Sequence, residues 1–219
     1  MSIPPDSLCS AGHMAQTARY ADWAPEALKG FQALATHAFA AGTLSVREKE
    51  IIAFGCAHAL RCPYCIDYHH GLATKAGATR DELVEAVWVA IAVAAHAPYA
   101  HASLALRLLD GERLETYYSS AWAAPLAGFA DLAPAALGGY AALQGAAFAA
   151  GALTTPFKHL VALACAHDIR CAFSIDHHVT EALAQQCTRE QIAEAVFVAI
   201  EMAAGACLGH AGLAAARMA

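Results

Sequence analysis

The chain is written twice. Residues ADWAPEALKGF at 21–31 return as ADLAPAALGGY at 130–140, and FAAGTL at 39–44 returns as FAAGAL at 148–153. GCAHALRCPYCIDYHH at 55–70 returns as ACAHDIRCAFSIDHHV at 164–179, and EAVWVAI at 85–91 as EAVFVAI at 194–200. Every pair is displaced by 109 residues, as Cys171 is from Cys62, so the halves align without a gap and close to half the positions match. A repeat of this length used only twice is a duplicated domain, not a solenoid. The chain divides into an N-terminal segment 1–20, repeat one over 21–109, a connector 110–129 and repeat two over 130–219.

Each repeat reads as the same run of helices. A first amphipathic stretch over about 24–40 stops at Gly42. Ser45 and Glu48 form a capping box, hydroxyl and carboxylate each satisfying a free backbone N–H, for a helix running to about Leu60. Pro63 suits the first turn of the next helix, whose φ it presets, and that helix ends near Gly77. Thr79 and Glu82 repeat the capping box for a helix to about His96, and Pro98 is expected to divide it from a last helix ending near Leu109. Thr188 and Gln191 are the matching cap in repeat two. With no alternating β pattern or hairpin signal, the expected fold is all-α, a tandem duplicated helical domain.

The composition fits close-packed helices. It is 58% hydrophobic and only 15% charged, rich in alanine, the best helix former. The apolar surplus predicts subunit contacts. Net charge is −6 with no basic block, which argues against a nucleic-acid partner. The N-terminus shows neither a basic n-region nor an apolar h-region, so a cytoplasmic location is expected. Residues 86–106 carry no Asp, Glu, Lys or Arg, yet hold His96, Pro98 and His101, and the matching span carries Glu201, so no membrane span is expected. In a reducing compartment the eight cysteines default to thiols, which makes a CxxC catalytic or metal-binding before it is a staple.

That CxxC is Cys62-Pro63-Tyr64-Cys65, set where a helix begins. Free N–H groups and the positive dipole end favour a thiolate there. An ordinary cysteine, with a pKa near 8.5, is only about 3% ionised at pH 7, whereas a pKa near 7 ionises about half. Helical spacing sets Cys62, Cys65 and His69 along one face, with His69 one turn after Cys65 as base or imidazolium partner. Glu50, on the preceding helix, makes chemical sense through His69 or a water, because a carboxylate beside a bare thiolate would raise the thiol pKa. Arg61, next to Cys62, is a candidate to offset that charge.

The run Glu50-x11-Cys62-Pro-Tyr-Cys65-x3-His69, followed by Gly77-Ala-Thr-x2-Glu82-Leu, resembles the alkylhydroperoxidase AhpD family within the carboxymuconolactone decarboxylase superfamily. The resemblance covers nearly all of repeat one and, more weakly, repeat two. It implies a helical fold and reduction of hydroperoxides by thiols alone, with no bound cofactor or metal. Cys65 would be the peroxidatic cysteine, Cys62 the resolving thiol, and Glu50 with His69 the proton relay. Some members carry a histidine between the cysteines, where this chain has Tyr64. A lipoyl-bearing or thioredoxin-like dithiol protein is the implied reductant. Single-repeat members form rings, so a homotrimer with six repeats is expected, closure burying every copy of the apolar patch.

Repeat two keeps Cys171 and His178, but Ser174 stands for the peroxidatic cysteine and His159 for the glutamate. It is expected to be structural; the other reading is a remodelled pocket using His159, His178 and Cys171 for a ligand or metal. Cys56 and Cys165 read as core thiols, Cys9 as an exposed thiol without a role, and Trp88 and Phe197 as helix-core aromatics. His58, Arg61, Asp67 and His101 recur as His167, Arg170, Asp176 and His210, which points to packing. Three alternatives stay open for the whole: a zinc site from Cys62, Cys65, His69 and His70; a decarboxylase or lactone enzyme without thiol chemistry; and a non-enzymatic redox sensor.

Overall fold

The computed structural model describes residues 11–112 and 118–218; Cys9 lies outside them. A short helix α1 (Ala11–Ala15) lies in the N-terminal segment, and repeat one follows with α2 (Tyr20–Trp23), α3 (Pro25–Phe39), α4 (Val46–Ala59), α5 (Pro63–Lys75) and α6 (Arg80–Leu109). Repeat two follows with α7 (Phe129–Leu132), α8 (Pro134–Phe148), α9 (Thr155–Asp168), α10 (Ala172–Ala184) and α11 (Arg189–Ala215). No strand occurs among the described residues. All three capping boxes form, at Ser45–Glu48, Thr79–Glu82 and Thr188–Gln191, and Gly77 takes a φ of +90° past the end of α5.

The repeats do not fold as two beads. Helices α4 and α9 lie against each other at the centre, α6 packs on α9 and α11 on α4, so each repeat's long helix crosses the other repeat's core. One apolar cluster runs through both, from Ile51, Ile52 and Ala53 of α4 to Val161 and Ala162 of α9. The matching thiols Cys56 and Cys165 meet there, both fully buried. Small residues permit the approach: a β-carbon at Gly55 would come within 2.9 Å of Val161 Cγ1.

Two expectations fail. Pro98 does not divide α6, which runs unbroken through it. A mid-helix proline costs about 3 kcal/mol, and burial on both sides of it holds the helix. His96 is buried before the proline and Ala100, Ser103 and Leu106 after it, with Ala100 sharing a cluster with Phe173 and Trp122. Trp88 and Phe197 are not core aromatics either, at 51% and 53% exposed. The buried stripe of α6 is Leu83, Ala86, Val89, Ala90 and Val93, whose small side chains let it lie close to α4 and α9; the large rings remain outside. By length and composition α6 and α11 could each cross a membrane. In the structure both lie against the shared core and bury carboxyl groups, Glu82 in α6 and Glu201 in α11.

A reciprocal clasp joins the repeats. Lys49 and Lys158 are nearly sealed, at 3% and 2% exposed. Lys49 Nζ donates to Ala40 O at 2.6 Å and pairs with Glu194 of the other repeat at 2.9 Å; Lys158 Nζ donates to Ala149 O at 2.6 Å and pairs with Glu85 at 2.9 Å. Glu194 also accepts from the amides of Thr43 (2.7 Å) and Leu44 (3.0 Å), as Glu85 does from Ala152 and Leu153 (2.8 Å each). A β-carbon at Gly42 or Gly151 would overlap these carboxylates, which is why each loop carries glycine there. Burial pushes the Glu194 carboxyl up, but the bonds from Lys49, Leu44 and Thr43 outweigh it and bring it down to about 2. The clasp's contribution is therefore complete above the ordinary carboxyl value of 4.5 and is lost as pH falls towards about 2. Glu194→Gln strands a buried ammonium and should cost about 3 kcal/mol in urea unfolding at pH 7. A loss below about 1 kcal/mol would reduce the pair to a surface contact.

Candidate functional site

The turn between α4 and α5 sets the first site. Arg61 adopts φ 54°, in the left-handed region, and the amides of Arg61 and Cys62 bond back to His58 O and Ala57 O at 3.1 Å each. Arg170 repeats this conformation at φ 55°. A bulky residue held there in both repeats marks a backbone fixed by its surroundings. Cys62 becomes the N-cap of α5 with Pro63 in the first turn, and its Sγ accepts the Cys65 N–H at 3.3 Å. The two sulfurs are joined as a disulfide, with the Cα atoms 5.3 Å apart. Arg61 lines a surface hollow with His58, Ile91 and Ile169.

Glu50 and His69 meet behind the disulfide. His69 Nδ1 lies 2.8 Å from Glu50 Oε2, the imidazole donating and the carboxylate accepting, with both residues buried. Phe39 stacks on the imidazole at 5.5 Å and Tyr68 meets it edge-on at 5.1 Å. A carboxylate on Nδ1 fixes the tautomer and leaves Nε2 as the working nitrogen. Tyr64, between the cysteines, is buried and packs edge-on against His210 of α11. The four residues singled out in the sequence thus occupy adjoining turns of α4 and α5.

The same scaffold carries different chemistry in repeat two. His159 and His178, at the positions of Glu50 and His69, bring their Nδ1 atoms to 3.2 Å, so one ring donates and the other accepts. Phe148 stacks on both, at 4.8 and 5.3 Å. Cys171 caps α10 as Cys62 caps α5, Ser174 N–H donating to its Sγ at 3.4 Å, and stays a free, buried thiol. His96 arrives from α6, its Nδ1 2.7 Å from Tyr140 Oη and its ring stacked on His177. Buried His178 Nε2, His96 Nε2 and Ser174 Oγ have no hydrogen-bond partner. Among the described residues no three His, Cys, Asp or Glu side chains converge as metal ligands.

Two polar residues of these sites escaped the sequence reading. Glu201 of α11 is buried near Glu50 and His69, and His96 of α6 joins the second site. The signal was available: each interrupts a helix whose partner in the other repeat has a small apolar residue or glycine, Ala92 against Glu201 and Gly205 against His96. The recurring residues serve mostly in packing. His58 and His167 bond to the carbonyls of Phe54 and Leu163, and Asp176 accepts from the Trp122 indole at 3.2 Å.

The second site should make the protein acid-sensitive. Burial, then the neighbouring His177, pushes His96 down to about 4; burial takes His159 to about 4 despite the opposing pull of Glu181, and takes His178 well below 6.5. Unfolding frees these imidazoles to bind protons, so the stability they hold is present above their ordinary value of 6.5 and is lost as pH falls from there towards about 4. Each contributes a slope of up to about 1.4 kcal/mol per pH unit. Urea titrations between pH 7 and 4.5 should reveal it, and His159→Gln should flatten it. An unchanged slope in that variant would refute the assignment.

Comparison with known proteins agrees with this duplicated geometry. The profile of the carboxymuconolactone decarboxylase family matches residues 25–108 and again residues 134–217. The chain is 46% identical over 80 residues to "Uncharacterized protein 4 in cox locus" of Paracoccus denitrificans, spanning 36% of this chain and 72% of that one. It is 36% identical over 72 residues to an uncharacterized protein of Cupriavidus necator, spanning 33% of this chain and 64% of that one. No solved structure matches. The chain is an all-α, two-repeat, AhpD-like protein and belongs to the carboxymuconolactone decarboxylase family.

Proposed function

We propose that the chain is a thiol-dependent alkylhydroperoxide reductase that cycles Cys62 and Cys65 between dithiol and disulfide. The observation that carries this reading is the bonded pair at the start of α5 with the His69–Glu50 pair buried behind it. Cys62 is fully buried and Cys65 is 7% exposed, which favours Cys65 as the sulfur that meets the peroxide. His69, held by Glu50, takes the Cys65 proton. The thiolate attacks the distal peroxide oxygen; a sulfur–oxygen bond forms, the O–O bond breaks, and the alkoxide leaves as an alcohol after taking a proton. Cys62 then attacks the sulfenic acid, releasing water and closing the disulfide. The short CxxC loop keeps the second thiol beside the first. A small dithiol protein, lipoyl-bearing or thioredoxin-like, reduces it again by exchange.

Cys65→Ser should lower peroxide turnover by at least about 100-fold with helical content unchanged. Cys62→Ser should complete one turnover and stall with Cys65 oxidised. Glu50→Gln should slow alkylation of the reduced protein by about tenfold at pH 7 and converge with wild type at high pH, where the thiol ionises unaided. Full turnover in Cys65→Ser would end the peroxidase reading. Catalysis that survives alkylation would favour the decarboxylase chemistry after which the family is named.

The same reading extends to a cytoplasmic homotrimer. Val84, Trp88 and Ile91 of α6 are exposed, as are Phe197 and Ile200 at matching positions of α11. An apolar hollow of about 540 Å³, lined by Phe54, Leu83, Val87 and Trp88 among others, adjoins the first stripe. Two related patches on one chain suit a closed ring. Light scattering should give three chains with one peroxide-reactive site each, and Trp88→Glu should dissociate them. A stable wild-type monomer at micromolar concentration would count against the ring.

A further inference from the structure

Glu201 is a buried carboxyl that the thiol cycle has not used. It is 6% exposed on α11, and its Oε2 has no hydrogen-bond partner. Helix α11 lies against α4 and α5, the two helices that carry the first site. A β-carbon at Gly209 would make ordinary contact with Tyr64 Cδ2 at 3.6 Å, so α11 meets the CxxC segment there, and one at Gly205 would lie 3.5 Å from Glu201 Oε1. Glu201, Gly205 and Gly209 share one helix face, so Glu201 stands two turns from the point where α11 touches the CxxC loop. Phe31 of α3 closes the far side.

The charges acting on Glu201 are those of the site. His69 and Glu50 both influence it, in opposite senses, and burial dominates them, raising its pKa. Several ionisable groups on the elements around α11 are engaged elsewhere: Lys49 with Glu194, Lys158 with Glu85, His159 with His178, His37 with Ala33 O, and Arg19 over the Trp23 ring; Asp168 of α9 is buried beside Cys56. An ionised carboxylate with an orphaned oxygen beside the Glu50 carboxylate would bear both a desolvation cost and a repulsion. A neutral acid bears no repulsion and a much smaller desolvation cost. The matching position in repeat one is Ala92, and the second site instead receives a neutral imidazole from His96. Each site therefore receives one buried titratable side chain from the other repeat.

We infer that Glu201 is the proton store of the first-repeat site, held as the neutral acid and acting through His69 on the departing alkoxide. The inference rests on the peroxidase reading above. The Cys65 proton passes to the Glu50–His69 pair, and the thiolate takes the distal oxygen of the peroxide as the O–O bond breaks. The departing alkoxide takes its proton from Glu201 by way of His69, which passes one proton on for each it receives. The proton that the Glu50–His69 pair took from Cys65 then refills Glu201. The sum is one thiol and one hydroperoxide giving one sulfenic acid and one alcohol. Glu201 acts through another residue and is a positioning residue in this cycle.

Glu201→Gln tests this, because glutamine copies the shape and neutrality of the acid but has no acidic proton. Both proteins are reduced, and single-turnover oxidation by an alkyl hydroperoxide is followed from pH 5 to 9 beside alkylation by iodoacetamide, which needs no proton donor. The variant should lose about tenfold or more in the peroxide reaction, with alkylation unchanged and the fall in peroxide rate at high pH gone. Equal peroxide rates and profiles would overturn the role of Glu201 and leave the peroxidase reading intact. A wild-type protein that alkylates but never reacts with peroxide would overturn the peroxidase reading instead. In that event infrared spectroscopy still decides whether Glu201 is the neutral acid: wild type should show a protonated-carboxyl band that Glu201→Gln lacks, and its absence would overturn the inference too.

Discussion

Two lysines sealed inside a helical core need anions, and each repeat obtains its anion from the other. Lys49 and Lys158 hold the carbonyls at the ends of α3 and α8, Ala40 and Ala149, and are neutralised by Glu194 and Glu85 respectively. Because each glutamate also holds two loop amides before α4 or α9, the clasp sets where the central helices begin. Their direction sets the CxxC turn, the approach of Glu50 to His69, and the passage of α11 beside both. A buried charge left unpaired costs several kcal/mol, so neither repeat can keep this geometry without its neighbour.

Duplication on one scaffold has separated two electrostatic regimes. The first site sets a carboxylate against an imidazole, with a disulfide at a helix start; the second sets imidazole against imidazole, with a hydroxyl where the second sulfur would be. Helix geometry, the N-cap and the left-handed turn are common to both. Burial favours the neutral imidazoles of the second cluster, and Cys171 has no partner sulfur at Ser174. The first keeps a carboxylate–imidazole pair, beside which Glu201 is the proposed acid.

The exposed rings follow from the same close packing. Alanine and valine face the core where α6 and α11 cross α4 and α9, and Trp88 and Phe197 are displaced outward. The surface is thus apolar because the interior is tight, and those outward faces are where assembly is proposed. Pro98 belongs to the same account: tertiary burial of Ala100 and Leu106 outweighs a local helix breaker.

The sequence by itself determined what is local or periodic. The 109-residue duplication is a comparison of the sequence with itself, and the capping boxes, the N-terminal placement of Cys62 and the shared face of Cys62, Cys65 and His69 rest on neighbours within two helical turns. For Glu50 and His69 the sequence offered candidates, a helical hairpin and a family resemblance, and the structure supplied the 2.8 Å contact between them. The tertiary structure alone decided the Glu194 and Glu85 clasps, the arrival of Glu201 and His96, and the outward face of the aromatic rings. Those depend on how two copies cross, and Glu194 reaches Thr43 across a separation of 151 residues. No local pattern records such a contact, because side-chain periodicity names a buried face without naming what covers it.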